Sequence, residues 1–234
     1  MCGIFGIVRH HVQKADSFLV DDLITGISRL EYRGYDSAGI AIITEWQSEI
    51  LRERAIGKVH ELESKVANNT VIKSIQTGIG IAHTRWATHG WVEIVNCHPH
   101  LSGNGRFALV HNGIIENYQE LKNILIAEWV IFEWQTDSEV VVAMIERASW
   151  NTLEERWLDI APKLQWAYAF LIVDRDHPDE LLSIRNGSPL IFGKKNSTKE
   201  FYLTSDQNAL AGFADDIIFL EDGEYVYITG ETYK

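Results

Sequence analysis

Short runs of Ile, Val, Leu, Phe and Tyr, closed by Gly, Asn, Asp or Pro, recur from one end of the chain to the other. They predict strands over 3–8, 38–44, 50–55, 78–83, 106–111, 167–174, 181–185, 190–192, 200–204, 217–220 and 224–228. Between them the apolar spacing changes to three and four residues, which predicts helices. Leu19, Leu23, Ile27 and Leu30 set such a face within 18–30, with Ser17 placed to cap it. The segments 118–126, 138–148 and 153–164 behave alike. Thr136 or Asp137 can cap the helix that starts at Ser138, and Pro162 is expected to end the last helix early.

The strands come in runs instead of alternating with helices, which argues against a doubly wound parallel sheet. The pattern predicts an α+β fold of two mostly antiparallel sheets with helices packed outside. No repeat, low-complexity tract or Pro/Gly/Ser-rich linker divides the 234 residues, so one domain over 1–234 is expected. A hydrophobic fraction of 46% and a charged fraction of 23% are ordinary for a globular protein. No apolar run approaches the roughly 20 residues needed to span a bilayer. Arg9, His10 and His11 interrupt the first apolar stretch, unlike a secretory leader, and a cytoplasmic protein is expected. The net charge of −12 disfavours nucleic acid and anionic membrane as partners.

Candidate chemistry begins at the second residue. An initiator methionine beside a small residue is readily trimmed, and loss of Met1 would give Cys2 a free α-amine. One residue would then carry both a thiol nucleophile and a base with a reference pKa of about 7.7–8.0. The competing reading is a small buried residue that starts the first strand. The two cysteines, Cys2 and Cys97, make no disulfide framework and fit a reducing compartment.

Four further segments are too polar, aromatic and glycine-rich for their apolar neighbourhoods. They are Leu-Glu-Tyr-Arg-Gly-Tyr-Asp-Ser-Ala-Gly at 30–39, His-Thr-Arg-Trp-Ala-Thr-His-Gly at 83–90, Val-His-Asn-Gly-Ile-Ile-Glu-Asn at 110–117 and Thr-Asp-Ser-Glu at 136–139. Arg85 offers a planar fork suited to a carboxylate, or else a surface ion pair. Asp137 suits an ammonium group, or a helix cap. Asn112-Gly113 alone reads as a hairpin turn. Cys97, His98 and His100 have zinc-ligand chemistry at too compressed a spacing, with no second pair of ligands at standard spacing, so no metal is expected. His10 and His11 read as a solvated strand end, and no cofactor is called for.

Taken with Cys2, these segments resemble the glutaminase domains of the glucosamine-6-phosphate synthase family, class II glutamine amidotransferases of the N-terminal-nucleophile hydrolase superfamily. The resemblance runs from Cys2-Gly3-Ile4 through Ser188-Pro189-Leu190 and Thr204-Ser205-Asp206-Gln207 to Phe219-Leu220-Glu221-Asp222-Gly223. The wording at 31–39 points to the aminosugar branch. The resemblance implies a four-layer αββα sandwich and hydrolysis of L-glutamine through a Cys2 thioester. It implies that Arg85, Trp86, Thr88 and His89 close over glutamine, with Asp137 holding its amine. Asn112 and Gly113 are implied as the oxyanion hole, and Arg33 as part of the loop beside the nucleophile. Family members continue into a sugar-phosphate isomerase part that receives ammonia and uses fructose 6-phosphate, whereas this chain stops at Lys234, leaving Trp86 no channel to gate. Alternatives are a class II glutaminase serving another acceptor, such as phosphoribosyl pyrophosphate or aspartate, and a folded but inactive module.

The chain departs from the family pattern at three tryptophans among its eight. Trp91 follows His89-Gly90 where a Pro followed by Ser or Thr is usual. Trp129 and Trp166 stand where Gly is common, so backbone strain and overpacking are expected there.

Overall fold

The computed structural model describes residues 2–11, 17–86, 92–132 and 136–234. In chain order the elements are β1 (Gly3–Arg9), α1 (Leu19–Ser28), β2 (Ser37–Ile43), β3 (Leu51–Ile56), α2 (Val59–Ala67), α3 (Thr70–Lys73) and β4 (Gly78–Arg85). There follow β5 (His100–Leu101), β6 (Phe107–Gly113), α4 (Tyr118–Ala127), α5 (Asp137–Arg147) and α6 (Leu153–Ile160). The chain then runs through β7 (Tyr168–Asp174), β8 (His177–Asn186), β9 (Ile191–Lys195), β10 (Glu200–Thr204), β11 (Asp216–Phe219), β12 (Tyr225–Thr229) and β13 (Thr232–Tyr233).

One sheet has seven strands in the order β11-β9-β10-β1-β4-β2-β3, the other six in the order β13-β12-β8-β7-β6-β5. Every ladder between these strands is antiparallel. Alternation along β1 explains the layering. Ile4 and Val8 point into a core shared with Val110, Leu171 and Leu203, which lies between the sheets. Phe5 and Ile7 point the other way, against Leu19, Leu23 and Ile27 of α1. A strand covered on both faces has no polar side to show, so 3–8 reads as an unbroken apolar run. The second outer layer packs Leu121, Val141, Ile145 and Trp157 of the later helices on Phe107, Phe170 and Ile172. The result is the four-layer αββα sandwich expected of the family. Among the described residues no helix is long and apolar enough to cross a membrane.

All eleven predicted strands form, and β5 and β13 are additional. The helices 118–126, 138–148 and 153–164 form as α4, α5 and α6, with Pro162 lying in a 3-10 turn that ends the last. Two short helices, α2 and α3, were not predicted; α2 has only Val59, Leu62 and Val66 to bury.

Three expectations need correction. Ser17 does not cap α1: the cap position is Phe18, and the Ser17 hydroxyl donates to Asp22 at 2.8 Å. Asn112-Gly113 is no hairpin turn. Both residues end β6 and pair in register with Ala169 and Tyr168 of β7. Trp129 and Trp166 do adopt the left-handed backbone a glycine favours, with φ of 66° and 96°. They overpack nothing, however, being 92% and 61% exposed. Trp91 lies outside the described residues.

Candidate active site

The antiparallel pairing of β1 with β4 sets Gly3 opposite Thr84, so the start of one strand meets the end of the other. Cys2, one residue before β1, therefore stands beside Arg85 and Trp86. Residues from β6 and α5 reach the same place from the other sheet. Cys2, Arg85, Trp86, Gly113 and Asp137 line one cavity of about 310 Å3, together with His98, His111 and residues 114–116.

The nucleophile candidate is half-buried. Its sulfur accepts the Trp86 N–H at 3.3 Å. Burial pushes the Cys2 thiol up from its ordinary value, and the Trp86 N–H opposes that only in part. The group at rest is a thiol that needs a base. Met1, whose removal would supply one, lies outside the described residues.

The Cys2 carbonyl is held from two sides. Arg33 Nε donates to it at 3.1 Å and Asn112 Nδ2 at 3.0 Å. Arg33 is braced in turn by Asp206 at 3.3 Å, and Tyr32 donates its hydroxyl to the same carboxylate at 2.5 Å. Beyond Cys2, Ser205 Oγ accepts the Ile4 N–H at 3.0 Å and Thr204 donates to the Ile4 carbonyl at 3.1 Å. Thr204 and Ser205 thus fix the start of β1 just after the cysteine, while Asp206 braces Arg33. Gly34 passes so close to β4 that a Cβ there would lie 2.6 Å from the Arg85 carbonyl carbon and 2.7 Å from Trp86 N. Only glycine permits that approach.

Asp137 opens α5, with Thr136 capping the helix by accepting the Glu139 N–H at 3.3 Å. Both capping candidates therefore have a place: threonine takes the cap, which frees Asp137 for the cavity. Its Oδ2 accepts the Ile115 N–H at 2.8 Å, and its Oδ1 lies 3.7 Å from His111 Nδ1. Burial opposes its charge, but His111 and the N–H groups of Ile115 and Ser138 outweigh burial and hold the carboxyl at about 2. Arg85 is buried, not a surface ion pair. Gly113 has φ 126°, and a Cβ there would fall 2.1 Å from the Ala167 carbonyl oxygen, so glycine is obligatory. Thr88 and His89 lie outside the described residues.

Four histidines, His83, His98, His100 and His111, cluster at the cavity, His98 and His111 in its wall, and were not singled out as a group by the sequence. His98 packs against His83 in a tilted contact with ring centroids 4.2 Å apart and meets His100 edge-on at 4.4 Å. Burial drives His83 down to about 3 and His98 and His100 well below the usual imidazole range, so these rings are neutral. Among the described residues no group of three or more His, Cys, Asp and Glu side chains converges as metal ligands would. The Cys97 thiol donates to the Glu93 carbonyl at 3.2 Å.

A cysteine leading the first strand of an αββα sandwich, with its cavity built from both sheets, defines the N-terminal-nucleophile class of amidotransferase. Comparison with known proteins names the family. A profile described as "Glutamine amidotransferase domain" matches residues 93–212, just over half of the chain, and the chain belongs to that family. It is 45% identical over 234 residues to a glutamine–fructose-6-phosphate aminotransferase (isomerizing) of Acinetobacter baylyi, covering 99% of this chain and 36% of that protein. The protein of the same description from Haemophilus influenzae is 44% identical, again over 99% of this chain and 36% of its own length. The chain thus spans about a third of these relatives. Among solved structures it resembles the glutamine phosphoribosylpyrophosphate amidotransferase of B. subtilis, with TM-score 0.79 and 27% identity over 100% of this chain and 48% of that one. A structure described as the allosteric regulatory enzyme of purine biosynthesis matches with TM-score 0.81, 27% identity and the same coverage.

Proposed function

We propose that the 234 residues form one glutaminase domain, which hydrolyses L-glutamine through a Cys2 thioester and supplies ammonia for glucosamine 6-phosphate synthesis from fructose 6-phosphate. The observation that carries this reading is the convergence of Cys2, Arg85, Gly113 and Asp137 on one cavity. Free glutamine presents a carboxylate, an ammonium and an amide. The Arg85 fork suits the first, the ionised Asp137 the second, and Cys2 the third. Trp86, on the cavity wall, covers the bound amino acid; the roles of Thr88 and His89 rest on the family resemblance alone, since both lie outside the described residues.

With Met1 removed, the Cys2 amine takes the thiol proton and the sulfur attacks the side-chain carbonyl carbon. Negative charge develops on the amide oxygen, where the Gly113 N–H and the Asn112 amide stabilise it. Asn112 has two amide hydrogens, and the Cys2 carbonyl uses one. The tetrahedral intermediate collapses by breaking the C–N bond, and the amine returns its proton so that ammonia leaves. Water then hydrolyses the thioester to glutamate. Arg33 holds the Cys2 carbonyl and so fixes the residue whose two ends react.

The acceptor is assigned from the relatives: identity is higher to the fructose-6-phosphate enzymes than to the phosphoribosylpyrophosphate enzyme. The partner is accordingly a sugar-phosphate isomerase domain, the setting cytoplasmic, and neither nucleic acid nor membrane takes part. The test is glutamate release from glutamine by protein with Cys2 at its N-terminus. Release abolished by Cys2→Ala, with Cys2 labelled by an electrophilic glutamine analogue, supports the reading. Folded protein of that form with no release overturns it in favour of an inactive module. Addition of an isolated isomerase domain with fructose 6-phosphate decides the acceptor.

A further inference from the structure

We propose that His83 is a positioning residue that locks the Asn112 side-chain amide with its N–H groups toward the nucleophile. This rests on the reading of Asn112 as an oxyanion donor. His83 lies on β4 of the seven-stranded sheet and Asn112 on β6 of the six-stranded sheet, so their contact bridges the two layers. His83 Nε2 stands 2.9 Å from the His111 carbonyl oxygen and 3.1 Å from Asn112 Oδ1. A carbonyl oxygen only accepts, so Nε2 carries the hydrogen and the ring is fixed in one tautomer.

That tautomer sorts the two ends of the amide. With Oδ1 on His83, the Asn112 NH2 group faces the Cys2 carbonyl and donates to it at 3.0 Å. Turned over, the amide would set its NH2 against the His83 N–H and its oxygen against the Cys2 carbonyl. Two hydrogen bonds would become two repulsive contacts. The turned amide would also present oxygen, not N–H, to the developing oxyanion. His83 has little room to swing away: it is buried, and the His98 ring packs against it in a tilted contact with centroids 4.2 Å apart. The N–H that faces Asn112 Oδ1 thus comes from β4, so the sorting acts across the sheet interface.

The test is a double-mutant cycle on glutamate release by the full chain with Cys2 N-terminal, using His83→Leu, Asn112→Ala and the pair. His83→Leu is expected to lower kcat about tenfold or more, a share of the roughly 10²–10³ lost with an oxyanion donor, while KM for glutamine changes little. In the Asn112→Ala background it should cost almost nothing further, because no amide remains to orient. His83→Gln, whose own amide N–H can stand near the place of Nε2, should recover most of the lost kcat. Thermal melts exclude unfolding as the cause. An equal loss in both backgrounds, or loss confined to KM, overturns the positioning role and leaves the oxyanion reading intact. If Asn112→Ala alone leaves kcat unchanged, the oxyanion reading itself fails.

Discussion

The Trp86 N–H points at the Cys2 sulfur from 3.3 Å, and it is the only backbone donor to that sulfur among the described residues. One hydrogen bond does not offset burial, so the thiol pKa stays raised. Alkylation of Cys2 by a neutral electrophile should therefore rise with pH to a midpoint above the roughly 8.5 of an open cysteine. Peptide mass analysis separates it from the buried Cys97. A midpoint near 7 would contradict a thiol resting state.

Asp137 links folding to acid. Its folded pKa of about 2 lies below the roughly 3.9 of an unfolded aspartate, so folding favours the ionised form. That contribution, on the order of 2 kcal/mol, is complete above about pH 4 and is lost as pH falls through 2. Asp137→Asn keeps an oxygen for the Ile115 N–H but removes the charge. Thermal melts from pH 5 down to pH 2 should show a shallower decline for the variant than for the parent. At pH 7 the same change should raise KM for glutamine by about tenfold to a hundredfold, with a smaller effect on kcat.

Gly113→Ala meets the Ala167 carbonyl oxygen at 2.1 Å in a backbone region closed to a Cβ. The expected cost is about 2–4 kcal/mol of stability, together with loss of glutamate release. Denaturant melts beside an activity assay check both. Full activity at parental stability would show that the strand end relaxes freely.

Trp129→Gly and Trp166→Gly should do the opposite. Each tryptophan holds a left-handed backbone and is largely exposed, so the substitution relieves strain without emptying a packed site. The Trp166 carbonyl still accepts from Asn186, because that bond is to backbone. A gain of about 1 kcal/mol each, or roughly 2–4 °C in Tm, is expected. A fall in Tm on either substitution would mean that the indole face contributes packing that exposure conceals.

Much of the fold was legible because both sheets are covered on both faces, which leaves runs such as 3–8 and 169–173 uninterrupted by polar residues. Strand ends were less legible because a partner sets them. β4 runs on to Arg85 since Ser37 of β2 pairs there. The start of β8 is polar, His-Pro-Asp-Glu, and is held by Asp174, which meets His177 at 3.0 Å and Arg106 at 2.6 Å. No periodicity announces that. At the site, Cys2, Arg85, Trp86, Gly113 and Asp137, taken from the family resemblance beside their chemistry, line one cavity. The bonds that orient them did not show, because Arg33 reaches Cys2, and His83 reaches Asn112, across separations that no local spacing records. The resemblance included Asp206, yet nothing in the sequence paired it with Arg33.

The bonds from Asn112 to Cys2 and to His83 both cross from one sheet to the other. Turnover is thereby a gauge of how the two halves of the sandwich are aligned. A slip of an ångström between layers would leave every strand paired and every helix wound, yet part the amide from the cysteine. Substitutions in the shared inner core, at Ile81 or Leu171, would then register in ammonia release before any spectroscopic signature of folding moved.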